Sequence, residues 1–294
     1  MNYKVAGIIP PLVTPFGKDG SINEPIFRQL INRIIKAGVD GIFIAGSQGE
    51  FWALEREEKI QAFEIAVEEV NGRVPVYAGT AAITTAETVW LTQAAEKVGV
   101  DAVSLITPFF ITPNDQELYQ HYKTVAEATR LPILLYSNPD RTNVNLSLEV
   151  IQQLAKIDNI VGMKDSSGDM TMAGEIIRNT GSGFHYLCGR DTMIYAALAY
   201  GASGAVPASA NVAPQLAVSI YEQFRKGNLE AALQAQYKLA PLRIAFGLGS
   251  FPVVIKEAME ILGFEVGTAR APIQPLSPEK RETLKAILKN MDLI

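Results

Sequence analysis

The sequence predicts an α/β chain folded as a (β/α)8 TIM barrel with a C-terminal helical extension. Three observations carry that expectation. Eight short apolar runs alternate with helical patterns, three of the junctions between them echo one another, and no phosphate-type glycine loop follows the first run. The runs are GIIPPLV (7–13), GIFIAG (41–46), VPVYAG (74–79), AVSLIT (102–107), PILLYS (132–137), IVGMKD (160–165), FHYLCG (184–189) and GAVPA (204–208). They lack in–out alternation, which is how strands read when a parallel sheet is covered on both faces. An open doubly wound sheet would carry a glycine loop after its first strand, and GIIPPLVTPF is not one.

Between the runs lie EPIFRQLINRIIKAG, REEKIQAFEIAVEEV, TAETVWLTQAAEKVG, DQELYQHYKTVAEAT and LSLEVIQQLAKI. In the first, Ile26, Leu30, Ile31, Ile34 and Ile35 recur at helical spacing and make one apolar stripe. Start signals precede several of them: Asn23 before Glu24-Pro25, Thr84 with Glu87 three residues on, and Ser147 before Leu148-Glu149. KAGVDGIFI (36–44), KVGVDAVSL (97–105) and AYGASGAVP (199–207) each end a helix on glycine and then enter a strand, so one αβ unit repeats. After about residue 212 strand patterns stop. Residues 1–226 are therefore expected to form the barrel carrying the active site, and 227–294 a helical extension.

Composition excludes several function classes. Hydrophobic residues make up 48% of the 294 and charged residues 19%, as in a globular chain. The net charge of −5, without a basic stripe, argues against nucleic acid as a partner. No apolar run approaches the roughly 18 residues of a membrane span. The N-terminus carries no signal-peptide pattern, and a single cysteine, Cys188, suits a reducing compartment, so the expected location is cytoplasmic. His121 and His185 lie far apart without metal-ligand spacing, and no metal is expected.

In a barrel of this kind the chemistry sits where the strands end and the βα loops converge. The second strand ends in GSQGE (46–50), the fourth in TPFF (107–110), the fifth in YSNPDRT (136–142), the sixth in MKDSS (163–167) and the seventh in CGRD (188–191). Lys164 stands at the mouth. A desolvated amine loses charge readily and attacks carbonyls to form a Schiff base. Asp165 is a poor partner for it, because adjacent strand residues face opposite ways. Tyr136 could shuttle a proton near that amine and Ser47 could pass it on. Gly46 and Gly49 flank Ser47-Gln48, a turn whose N–H groups can converge on a carboxylate. Arg141 offers a bidentate clamp for a second carboxylate. Taken singly, Tyr136 also fits a core tyrosine and Arg141 a solvated loop arginine.

In that order, GSQGE, TPFF, YSNPDRT and VGMKDSSGD resemble the dihydrodipicolinate synthase/N-acetylneuraminate lyase family of pyruvate-dependent class I aldolases, over essentially the whole chain. The resemblance implies a (β/α)8 barrel with a helical extension, assembled as a homotetramer, a dimer of dimers. It implies Lys164 as the Schiff-base lysine, with no cofactor beyond that covalent link to pyruvate. It implies Tyr136 as the proton relay, Ser47 and Gln48 in the loop that grips the pyruvate carboxylate, and Arg141 for the carboxylate of the aldehyde. Gly189 and Val206 match pocket-lining positions. Two residues depart from the pattern. Gln48 replaces a hydroxyl, and Phe110 stands where the synthase branch places a tyrosine that crosses the dimer interface into the neighbour's relay.

The resemblance favours condensation of pyruvate with aspartate semialdehyde, the 4-hydroxy-tetrahydrodipicolinate (dihydrodipicolinate) synthase reaction of lysine biosynthesis, because Arg141 is retained. The alternative is retro-aldol release of pyruvate from a 2-keto-3-deoxy sugar acid or 4-hydroxy-2-oxoglutarate, since KDSSGD is closer to those branches. A non-catalytic small-molecule sensor on the same scaffold is the remote alternative, against which the lysine–tyrosine pair argues.

Overall fold

The computed structural model describes residues 3–294. All eight expected strands form: β1 (Gly7–Ile8), β2 (Ile42–Ile44), β3 (Val76–Gly79), β4 (Ala102–Ile106), β5 (Ile133–Ser137), β6 (Ile160–Asp165), β7 (His185–Cys188) and β8 (Gly204–Ala205). They pair in parallel in the order β1-β8-β7-β6-β5-β4-β3-β2. The ring closes beyond the end of β1, where the Phe43 N–H donates to the Pro10 carbonyl and the Leu12 N–H to the Phe43 carbonyl, each at 2.9 Å. β1 and β8 are shorter than the apolar runs 7–13 and 204–208 because Pro10, Pro11 and Pro207 have no N–H to add to a ladder.

The helices start where the sequence signals place them. Asn23, Thr84 and Ser147 each accept a hydrogen bond from the backbone N–H three residues on, capping the helices Glu24–Lys36, Thr85–Val98 and Leu148–Leu154. The repeated glycines Gly38, Gly99 and Gly201 end their helices with φ of 88°, 94° and 104°, a left-handed turn that a Cβ would strain. Beyond β8 come the helices Pro214–Arg225, Leu229–Ile244, Val253–Ile261 and Pro278–Asn290. Among the described residues no single helix is long and apolar enough to cross a membrane.

Two apolar clusters hold the fold. The larger fills the layer between strands and helices, and takes in Leu239, Met259, Leu284 and Leu288 of the last helices. The smaller plugs the barrel itself with one inward residue from most strands, among them Phe43, Tyr77, Leu134, Val161, Leu187 and Val206. The plug leaves the mouth of the barrel for polar side chains.

One irregularity decides which side chains reach that mouth. Ile133 pairs with Ile160, but the next pair is Leu134 with Gly162, so Val161 is an extra residue in β6. This bulge shifts the rest of β6 by one position, and Lys164 therefore faces inward beside Tyr136 instead of outward. Gly162 makes the bulge possible: a Cβ there would lie 2.2 Å from the His185 carbonyl oxygen of β7. Gly162→Ala is expected to cost about 1–3 kcal/mol through the forced backbone shift, read as a lower urea midpoint with an unchanged slope.

Candidate active site

The register that follows the bulge sets Tyr136 of β5 directly opposite Lys164 of β6. Both are buried, Tyr136 at 3% and Lys164 at 4% exposure. The Lys164 Nζ lies 4.0 Å from the centre of the Tyr136 ring and 5.1 Å from that of Phe43, which rises from the plug below. Among the described residues the lysines that pair with carboxylates are Lys123, Lys226, Lys238 and Lys256, and Lys164 is not one of them. Asp165 points away, as strand alternation requires. Its carboxylate accepts from the Tyr186 hydroxyl at 2.9 Å and from the Ser167 N–H and hydroxyl at 2.9 and 2.8 Å. The Lys164 amine is thus screened from water and left without a counter-charge, facing a phenol.

That phenol is tuned. Burial raises the Tyr136 hydroxyl, but the Lys164 charge and polar contacts with Ser47, Asn138 and Ser166 outweigh burial, and the phenol lies below its ordinary value. Among the described residues only Asn138 makes a hydrogen bond of full geometry to it, Nδ2 to the phenolic oxygen at 2.9 Å. Ser47 and Ser166 approach without meeting that geometry.

The GSQGE loop supplies unused polar groups. Ser47 Oγ and both amide atoms of Gln48 are buried and have no hydrogen-bond partner among the described residues. Among the described residues no backbone acceptor takes the N–H of Ser47 or Gln48 either. Burying unpaired donors is costly unless a ligand satisfies them, and a small carboxylate can accept from Ser47 Oγ, Gln48 Nε2 and the two backbone N–H groups. The loop is held from outside. Ala45 and Glu50 take left-handed conformations, with φ of 50° and 58°. Gly79 of β3 lets the loop pack close, since a Cβ there would sit 2.2 Å from the Ala45 carbonyl oxygen. Glu50, fully buried, pairs with the equally buried Lys256 at 2.7 Å, and its other oxygen accepts the Arg270 N–H at 2.8 Å. Burial draws the Lys256 amine down to about 8, with the Glu50 charge opposing.

These groups share one cavity of about 220 Å³ at the C-terminal ends of the strands. It brings together Ser47, Gln48, Tyr136, Arg141, Lys164, Gly189 and Val206, as the sequence reading expects. Gly46 and Gly49 do not line it. They shape the turn: a Cβ on Gly46 would meet the Phe43 ring at 2.9 Å, and the Gly49 carbonyl accepts from the Thr14 hydroxyl at 2.7 Å. Gly189 is needed for space, because a Cβ there would come 2.1 Å from the Ser166 hydroxyl.

Residues 4–291 match the model of the dihydrodipicolinate synthetase family. The chain belongs to that family. It is 37% identical to the 4-hydroxy-tetrahydrodipicolinate synthase of Desulforudis audaxviator, with all of both chains covered. Among solved structures, dihydrodipicolinate synthase from Acinetobacter baumannii complexed with pyruvate superposes with a TM-score of 0.95 at 34% identity, covering 98% of this chain and 99% of that one. YagE, a prophage protein of the same family from Escherichia coli in complex with pyruvate, gives 0.94 at 33% identity, with 98% and 99% covered.

Of the two residues that the resemblance sets apart, Gln48 lines the cavity and Phe110 does not. Phe110 is 94% exposed and takes φ of 74°. A bulky residue in that conformation costs free energy. Sequence reading missed several cavity residues: Asn138, Ser166, Arg190, Arg243, Phe246 and Phe251. Asn138 and Ser166 had a signal, since each lies two residues from a chosen one. Arg190, beside Gly189 in CGRD, had one as well, and the others had little. Arg243, Phe246 and Phe251 come from the helical tail, where no strand end marks a site.

Removing the Asn138 amide is expected to raise the pH at which Tyr136 ionises, because a donor to the phenolic oxygen favours its charged form. Asn138→Ala should move the alkaline limb of the kcat/KM profile to higher pH. A profile identical to that of the parent would mean that Asn138 does not tune the phenol.

Proposed function

We propose that this chain is a class I lyase that condenses pyruvate with aspartate semialdehyde, acting as a 4-hydroxy-tetrahydrodipicolinate synthase. The observation that carries the reading is the Lys164–Tyr136 pair, an amine without a counter-charge 4.0 Å from the centre of a buried phenol ring, in a cavity with an unsatisfied carboxylate loop. The names of the relatives support the choice of reaction.

The steps follow from the groups present. Ser47 and Gln48 take the pyruvate carboxylate and aim its keto carbon at Lys164. The Nζ attacks that carbon, and water leaves to give an iminium. Loss of a C3 proton then gives an enamine, the protonated nitrogen having served as an electron sink. Tyr136 moves the protons. The enamine carbon bonds to the aldehyde carbon, whose oxygen takes a proton. Arg141, an exposed residue of the cavity wall, holds the carboxylate of the aldehyde. The amino group of the condensed substrate displaces Lys164, which restores the enzyme. The covalent link does the work a cofactor would otherwise do, so none is needed.

A second reading has one specific observation in its favour. Phe110 removes a phenol that the synthase branch uses, which suits cleavage of a 2-keto-3-deoxy sugar acid or a 4-hydroxy-2-oxo acid. For the assembly we propose a homotetramer, supported by an exposed apolar surface around Phe110 that includes Trp52, Ile83 and Ile111 at 40%, 38% and 46% exposure. Residues 227–294 act as an extension of the barrel 1–226 rather than a unit with its own core. The lone thiol of Cys188 suits a reducing cytoplasm.

Borohydride added with pyruvate is expected to leave a mass adduct on Lys164 and none on Lys164→Ala. Tyr136→Phe should trap pyruvate but slow turnover by roughly 10²–10⁴. A parent enzyme that gains no mass would sink the Schiff-base reading, and turnover of sugar acids alone would reverse the order of the two reactions. Phe110→Tyr should keep the oligomer, measured by sedimentation, and raise the condensation rate.

A further inference from the structure

The wall of the cavity carries more positive charge than the proposed chemistry uses. Besides Lys164 it contains Arg141, Arg190 and Arg243, against the carboxylates of Asp140 and Asp191. Both carboxylates are committed. Asp140 pairs with Arg190 at 2.8 Å. Asp191, 1% exposed, accepts from the N–H and hydroxyl of Ser209 at 2.7 and 2.5 Å. Among the described residues the arginines that pair with carboxylates are Arg28, Arg56, Arg178, Arg190, Arg270 and Arg281, which leaves Arg141 and Arg243 of this wall without one.

Each of the two is laid over an aromatic ring of the same wall. The Arg141 guanidinium carbon is 4.7 Å from the centre of Phe251, and that of Arg243 is 4.8 Å from the centre of Phe246. Stacking holds a guanidinium in place while its N–H edge stays free to pair with an oxyanion. Burial draws Arg243 below its ordinary value, a cost that a bound anion would offset. The pyruvate carboxylate already has the unpartnered groups of Ser47 and Gln48, so these arginines are left for the second substrate.

We propose that Arg243 is a specificity-determining residue which, with Arg141, forms a two-guanidinium subsite for an oxyanionic group at the end of the aldehyde remote from its carbonyl. The group is a carboxylate or a phosphate, both of which match the planar fork of arginine. The inference rests on the reading of Lys164 as the Schiff-base lysine, which turns the aldehyde toward that wall.

The test compares the parent with Arg243→Met and Arg243→Lys. With pyruvate as donor, kcat/KM is measured for aspartate semialdehyde, glyceraldehyde 3-phosphate and uncharged glyceraldehyde. The ratio of charged to uncharged aldehyde should fall by roughly 10- to 100-fold in Arg243→Met, the loss expected for a charge-assisted hydrogen bond, and recover in part in Arg243→Lys. Titration of the same proteins with succinate and with inorganic phosphate gives a readout that needs no turnover. Weaker binding to Arg243→Met of one anion or the other identifies the preferred group. An unchanged ratio together with unchanged binding overturns the subsite, as does a parent that binds neither anion. A parent that forms no pyruvate adduct defeats the Schiff-base reading instead, and the titrations still judge Arg243.

Discussion

The one extra residue in β6 is the constraint on which the site depends. A strand turns every second side chain inward, so if Val161 paired in a regular ladder the lysine would face the helices and the aspartate beside it would face the barrel. The bulge reverses that assignment for the last residues of β6 only, above the apolar plug and below the loops. It costs a ladder irregularity and demands a glycine next to it, where β7 comes too near for any side chain. In return the barrel gains an amine and a phenol at the same height on neighbouring strands, a pairing that backbone hydrogen bonds hold more rigidly than a loop would.

Much of the barrel was legible because its signals are local. Apolar runs, capping residues at Asn23, Thr84 and Ser147, and helix-ending glycines at Gly38, Gly99 and Gly201 each act within a few residues of themselves, and the structure uses every one. That Lys164 and Tyr136 would share the cavity was legible for a similar reason, since the end of a strand is visible in sequence and βα loops converge there. Strand lengths were read too generously at β1 and β8, where prolines keep an apolar run from joining the ladder.

What escaped the sequence depends on long-range approach. Nothing around Val161 announces that it will be bypassed, because the bulge exists only in relation to β5 and β7. The buried pair of Glu50 and Lys256 joins residues far apart in the chain, and neither neighbourhood shows that the two carboxylate oxygens will be answered by the tail. Likewise, Arg243 and Phe246 sit in a segment with an ordinary helical pattern until folding carries it to the barrel mouth. Charge in a helix reads as solvated surface unless its destination is known.

The Glu50–Lys256 contact links two parts of the molecule that do different jobs. One end belongs to the turn that presents Ser47 and Gln48, and the other to a helix just beyond Phe251 in the chain. The amine and phenol of the cavity therefore stand on strands, while Arg243, Phe246 and Phe251 of its wall come from the tail. Such a division leaves room for descendants of one ancestor to change diet by editing a short C-terminal stretch, with the carbon–carbon chemistry inherited intact.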